Sequence, residues 1–424
     1  MYKKTVLSNQ IRVITHEMSD RDSVSIGIWI GTGGRFEDKK NKGAAHFLEH
    51  ILFKGSQKYS CGDIKELIEG VGGTLNAFTA EEYTCYFAKI PSKHLEETFD
   101  ILSDMVFHPL ITKKDVNKER GVILEEIKMY HDQPQHLVVE FLEELMWPNH
   151  PLGMNLAGTF ESVGRMTFKD LRAFHKTYYS VGNIVVAACG RLKHQALIDL
   201  VVRKSSKING KERLDYFEAQ NSQEKSKVKF HRKDIEQMHL AMGAFGLEIN
   251  HDDKHVYHLL NIILGGNMSS RLFDEVREKR GLAYAISSSV KSLQDTGLLM
   301  IRAGVDNKKI VEAVQVILKE LNKMKHDNVT KSEFTRAKDY YLGQILLGLE
   351  DTLEHMFWIG EGIVSLNKAL TLNEILREVR EVSIADIKRV ANNILKENNI
   401  NLSLVGPLKD AQERELSRLI GVRS

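Results

Sequence analysis

No stretch of this 424-residue chain approaches the roughly 20 consecutive apolar residues that cross a bilayer, which excludes a membrane-spanning helix. The sequence also lacks an excess of either charge. Its 59 Lys and Arg stand against 57 Asp and Glu, a formal balance of +2, so no global field draws it to nucleic acid or to a membrane surface. Cysteine is scarce. Cys61, Cys85 and Cys189 are odd in number and far apart, which argues against a disulfide framework and suits reduced core thiols in a cytosol-like compartment. The amino terminus, Met1 to Asp20, has neither the apolar run of a secretory signal nor the acid-poor composition of a transit peptide. A cytoplasmic protein with no nucleic-acid or membrane partner is therefore expected.

What remains is ordinary globular composition, 42% hydrophobic and 27% charged, in a chain long enough for two or more domains with real cores. Residues 51–150 hold 17 acidic and 10 basic side chains, which reads first as a solvated acidic face and only second as a preference for basic peptides.

Residues 11–31 read as strands, with polar and apolar residues alternating from Ser23 to Trp29 up to the punctuation of Gly31, Gly33 and Gly34. Beyond them the period changes. Gly43 to Phe53 reads as a helix, Thr74 to Ile90 as a strand pair, and Ser92 to Phe107 and Thr112 to Tyr130 as amphipathic helices. Strands mixed with paired helices imply an α+β layer fold. A polar run at residues 205–227 divides the chain into expected domains 1–210 and 211–424.

The two halves read as diverged copies. Residues 111–127 lie ungapped over 329–345, and the segment GAAHFLEHILFKG from Gly43 lies over KHVYHLLNIILGG from Lys254, in the same order and at similar offsets. Under these alignments His46, Glu49 and His50 face Tyr257, Leu260 and Asn261, while Glu119 and Glu126 face Ala337 and Gln344. A helix needs none of the polar members of these pairs in order to pack. Their restriction to the first copy points to chemistry.

His46 and His50 are four residues apart, so on a helix they project from one face and can grip one metal ion, with Glu49 beside them. This is the inverted zincin spacing, moderately specific by itself. Glu119 and Glu126, seven apart, share a face of a later helix, while Glu125 is rotated away. Glu126 is assigned as third ligand and Glu119 as a supporting carboxylate for a ligand histidine. Two histidines, one carboxylate and an open fourth position describe a catalytic zinc site, with Glu49 as general base. His16, His94, His108, His131 and His136 lack such spacing and read as surface or packed residues.

These residues resemble the pitrilysin, insulin-degrading enzyme and mitochondrial processing peptidase family of inverted zinc metallopeptidases. The resemblance runs through HFLEHILFKGS, LNAFTAEEYTCYFAKI, KERGVILEEI, HPLGMNLAGT and SSRLFDEVREKRGLAYAI, in that order, and so covers most of the chain. It implies two homologous domains, each a mainly antiparallel sheet packed against helices, pairing into a clam-like chamber. It implies one zinc ion per chain on His46, His50 and Glu126, catalysis by Glu49 and a supporting role for Glu119. Asn76, Ala77 and Phe78 match the edge strand to which an extended substrate adds. Arg277 and Tyr284 match a pair that reaches the substrate carbonyl from the opposing half of the chamber. Residues alone would make them a basic helix end and a core tyrosine. The length places the chain with the short members that pair, so a homodimer, or a heterodimer with a homologous chain, is expected. Gly265, Gly266 and Asn267 form a shorter loop than the glycine-rich loop of the processing peptidase's partner subunit, which argues against specialised presequence recognition.

The sequence thus predicts a zinc endopeptidase for unfolded peptides or oligopeptides. The alternatives are a processing peptidase for targeting sequences and a non-catalytic subunit of the same fold.

Overall fold

The computed structural model describes residues 1–206, 208 and 215–422. The expected linker at 205–227 falls partly on 207 and 209–214, which lie outside the described residues. Among the described residues no helix is long and apolar enough to cross a membrane.

The first sheet contains β1 (Tyr2–Val6), β2 (Arg12–Glu17), β3 (Ser23–Ile30), β4 (Thr74–Thr79), β5 (Thr84–Pro91) and β6 (Ile184–Gly190), in the order β1-β2-β6-β3-β5-β4. The second contains β7 (Val228–Arg232), β8 (Gln237–Phe245), β9 (Ala283–Ser292), β10 (Gly297–Asp306) and β11 (Asn401–Gly406), in the order β7-β11-β8-β10-β9. Without β1 the first order becomes the second, strand for strand. Each sheet also has one parallel pair, β2 with β6 and β7 with β11, all other neighbours being antiparallel. The repeat seen in the helices is thus a repeat of topology, in an α+β fold with two sheets and two similar domains.

The helices expected at 43–53 and 112–130 are Ala44–Leu52 and Lys113–Asp132, and the one expected from Ser92 starts at Leu95 after a short 3₁₀ turn. Strand β1 and the helix Cys61–Glu69 carry no comparable signal, one being short and the other having only Ile64 and Ile68 fully buried.

The compact units are discontinuous along the chain. One comprises 1–127, 155–217 and 345–372, and the other 128–154, 218–344 and 373–424. In the first, β3 is buried on both faces. Val24, Ile26, Ile28 and Ile30 point into a core shared with the helices Ala44–Leu52 and Leu95–Phe107, whereas Trp29 joins a second core completed by Met356, Ile359 and Ile363 of the helix Thr352–Leu366. That helix lies close to the sheet because Gly360 has no side chain. A Cβ there would stand 2.3 Å from the Trp29 indole. In the second unit the helix Pro134–Met146 covers β8 and β11, placing Val138 and Leu142 against Ala241, Leu298 and Val405, and the Ser403 hydroxyl donates to the Val138 carbonyl at 2.6 Å.

Candidate metal centre

The helix Ala44–Leu52 is amphipathic, with Phe47, Leu48, Ile51 and Leu52 in the core. Its remaining face carries His46, Glu49 and His50, all partly buried. Two features fix where it starts. Gly43, at its amino end, has φ +91°, and a Cβ there would meet the Ala157 carbonyl at 2.6 Å, so only glycine fits. The buried carboxylate of Glu37 then accepts from the backbone amides of Gly43 (2.9 Å) and Ala45 (2.6 Å), satisfying amides that have no partner within the helix.

The ligand atoms of His46, His50 and Glu126 all lie within 4.8 Å of one another. Glu126 Oε2 is 3.8 Å from His46 Nε2 and 3.5 Å from His50 Nε2. Zinc bonds of about 2.0–2.1 Å in a tetrahedron would set such edges near 3.3 Å, so the two edges to Glu126 need only a slight contraction to suit a zinc ion. Burial, with His50 alongside, pushes the His46 imidazole down to about 3, which leaves it in the neutral form that ligation requires. Its Nδ1 is buried without a hydrogen-bond partner.

His50 is held more firmly. Its Nδ1 lies 2.9 Å from Glu119 Oε1 and donates there, which leaves Nε2 as the free donor atom aimed at Glu126. Glu119 is buried, and its other oxygen pairs with Lys54 Nζ at 2.7 Å. Burial alone would push its carboxyl up, but the hydrogen bonds from Lys54 and His50 outweigh that and hold it below its ordinary value. Glu126 is only partly buried, and Glu125, beside it in sequence, is exposed.

Glu49 accepts a hydrogen bond of 2.5 Å from the hydroxyl of Thr79, the last residue of β4. Burial raises its pKa, Thr79 and His50 oppose this, and Glu126 adds to it, with a net rise. A carboxyl poised in this way is a better proton acceptor than an exposed one. Asn76, Ala77 and Phe78 lie in the same strand, which is the outermost of its sheet, with β5 as its one strand neighbour. The Ala77 amide donates to the Asn76 side-chain oxygen at 2.8 Å.

In the second unit Arg277 and Tyr284 come together. The Arg277 guanidinium lies over the rings of Phe273 (4.7 Å) and Tyr284 (5.7 Å), and Tyr284 is 79% exposed rather than packed in a core. The second-copy positions are occupied by structural groups. Tyr257 and Leu260 are fully buried, and Asn261 accepts from the Ser288 hydroxyl at 2.7 Å. Among the described residues no other group of three or more His, Cys, Asp or Glu side chains has metal-binding geometry.

Sequence reasoning missed Lys54, Thr79 and Glu37. Lys54 lies one turn beyond His50 on the extension of the same helical face, so spacing could have found it. The other two reach the site only through tertiary structure.

Two family models match the chain: one described as insulinase, peptidase family M16, over residues 12–160, and one described as the peptidase M16 inactive domain, over residues 165–341. The uncharacterized zinc protease YmxG of Bacillus subtilis is 34% identical over 412 residues, covering 96% of this chain and 98% of that protein. The uncharacterized zinc protease SCO5738 of Streptomyces coelicolor is 34% identical over 420 residues, covering 98% and 91%. A solved protease from Helicobacter pylori shares the fold with a TM-score of 0.91 at 21% identity, covering 96% of this chain and 99% of its own.

Proposed function

This chain belongs to the insulinase family of peptidases, M16, and from that membership we propose that it is a zinc-dependent endopeptidase acting on unfolded peptides or oligopeptides. The observation that carries the reading is the convergence of His46, His50 and Glu126 on one point with the Glu49 carboxyl beside them. One zinc ion per chain would be held by those three side chains. When bound, the ion supplies a Lewis acid that acidifies water and polarises a peptide carbonyl.

The chain's own groups do the rest. Glu49 takes a proton from the attacking water and delivers it to the departing amine, with Thr79 orienting its carboxyl. Glu119 fixes the tautomer of His50. The edge strand at Asn76, Ala77 and Phe78 pairs with the backbone of an extended substrate, which makes sequence preference broad. To receive it, the Ala77 amide must exchange the Asn76 side chain for a substrate carbonyl. Arg277 and Tyr284 donate to the substrate carbonyl from a second chain, a homodimer partner or a homologous subunit, the two chains enclosing a chamber.

The test is cleavage of a quenched peptide library by the purified protein, with and without chelator, beside Glu49→Gln. Chelation should abolish cleavage. Glu49→Gln should retain metal and lose about 10²–10⁴ in rate, the usual worth of a general base. A parent protein that binds no metal, or a Glu49→Gln variant that cuts as fast as the parent, would rule the reading out.

A further inference from the structure

The second sheet carries a cavity of about 580 Å³ whose lining reaches well beyond Arg277 and Tyr284. Strand register explains its floor. His239 of β8, Gly304 of β10 and Ala285 of β9 are cross-strand neighbours, and Ala241, Arg302 and Ser287 form the next row on the same face. Gly304 keeps the floor open. A Cβ there would stand 3.3 Å from Gln237 Oε1 and 3.8 Å from the His239 ring, and the ladder between β10 and β9 shifts register at this residue. Val138 and Phe273 contribute apolar wall.

The charge in the cavity is of one sign. Its lining includes two guanidiniums, those of Arg277 and Arg302, and no carboxylate. Arg302 is exposed, and its guanidinium makes no hydrogen bond or ion pair to a described residue. Arg277 has only Glu278 near its Nε, at 3.7 Å, too long for a hydrogen bond. Asp306, further along β10, accepts from the Lys308 amide at 2.8 Å and is not among the lining residues.

We propose that this cavity is a subsite for a carboxylate of the bound peptide, an acidic side chain or the terminal carboxylate, held between Arg277 and Arg302. It rests on the peptide-cleaving reading for the nature of its ligand. A planar guanidinium meets a carboxylate through paired N–H donors, and a partly enclosed setting strengthens that pairing relative to open surface.

Fluorescence anisotropy of labelled peptides on full-length Glu49→Gln tests this without turnover. Three amino-acetylated versions of one neutral sequence are compared: amidated, with a free terminal carboxylate, and amidated with glutamates introduced. At least one anionic version should bind about tenfold more tightly than the neutral one, as expected for one charge-assisted contact. Which of the two anionic versions gains identifies the source of the carboxylate. Adding Arg302→Gln should erase the gain and leave the neutral peptide's affinity unchanged, and Gly304→Val should erase it by filling the floor. Equal binding of all three peptides, equal weakening of all three by Arg302→Gln, or no peptide binding would overturn the proposal. Cleavage by the parent protein is read separately, so an anion preference without cleavage would overturn the peptidase reading and leave the subsite standing.

Discussion

At the scale of single residues, the centre depends on side chains that touch no reacting atom. Glu119 and Lys54 form a chain of contacts behind His50, with Glu119 accepting from both. Glu119→Gln keeps the shape and removes the charge, and it should weaken zinc binding by about 10–100-fold, the usual effect of losing such a partner, as measured by competition with a chromophoric chelator. Thr79 acts on the base instead. Its hydroxyl stabilises the ionised form of Glu49, so Thr79→Val raises a pKa that burial has already raised. Glu49 works only when ionised, and its share of activity is lost as pH falls through that pKa. The acid limb of kcat/KM should therefore move to higher pH in Thr79→Val, with a larger loss on the acid limb than on the plateau above it; an equal loss on both would contradict this. His46, Glu49, His50 and Glu126 were legible because helix geometry converts spacing directly into position. Thr79 was not, since it lies 30 residues from Glu49 and only the placement of a strand against a helix joins them.

At the scale of elements, periodicity located β2 to β5 and the helices that carry the ligands, because each sends side chains into a core at the spacing of its secondary structure. It could not rank the strands. An edge strand and an interior one share the same alternation, and the outermost place of β4 follows from the whole sheet order. Nor did it show which element covers the far face of the first sheet. There the contact between Gly360 and Trp29 is decisive. Gly360→Ala should cost about 1–3 kcal/mol through overpacking against the indole, read as a lowered unfolding midpoint. Gly343→Ala, in the helix Lys331–Gly348 with nothing within 4 Å of an added Cβ, should be neutral or slightly stabilising in the same assay.

At the scale of the whole molecule, the proposed division of labour between chains has a direct test. Glu49→Gln spoils the metal-side chemistry and Arg277→Ala the donor side, and each variant should be inactive alone. If Arg277 acts across a dimer, mixing the two under conditions of subunit exchange restores one intact site in each mixed pair, about a quarter of parental activity at equal proportions. If both residues serve the same chain's site, mixing restores nothing.

The repeat was legible in part, from two helices and their missing ligands. Its full extent emerged only with the matching strand orders, because short strands carry too little sequence to align. The helices Pro134–Met146 and Thr352–Leu366 add a further consequence. Each occurs in one half of the repeat and is counted in the compact unit built mainly from the other half. The halves of the repeat are therefore not separable as compact units. A gene split at the codon for Phe217 would yield a first product with Trp29, Val185 and Ala187 uncovered, since Met356 and Ile359 would be encoded on the other fragment. The second half therefore carries no metal group of its own among the described residues, yet it supplies the helix that covers Trp29, so neither half can be discarded.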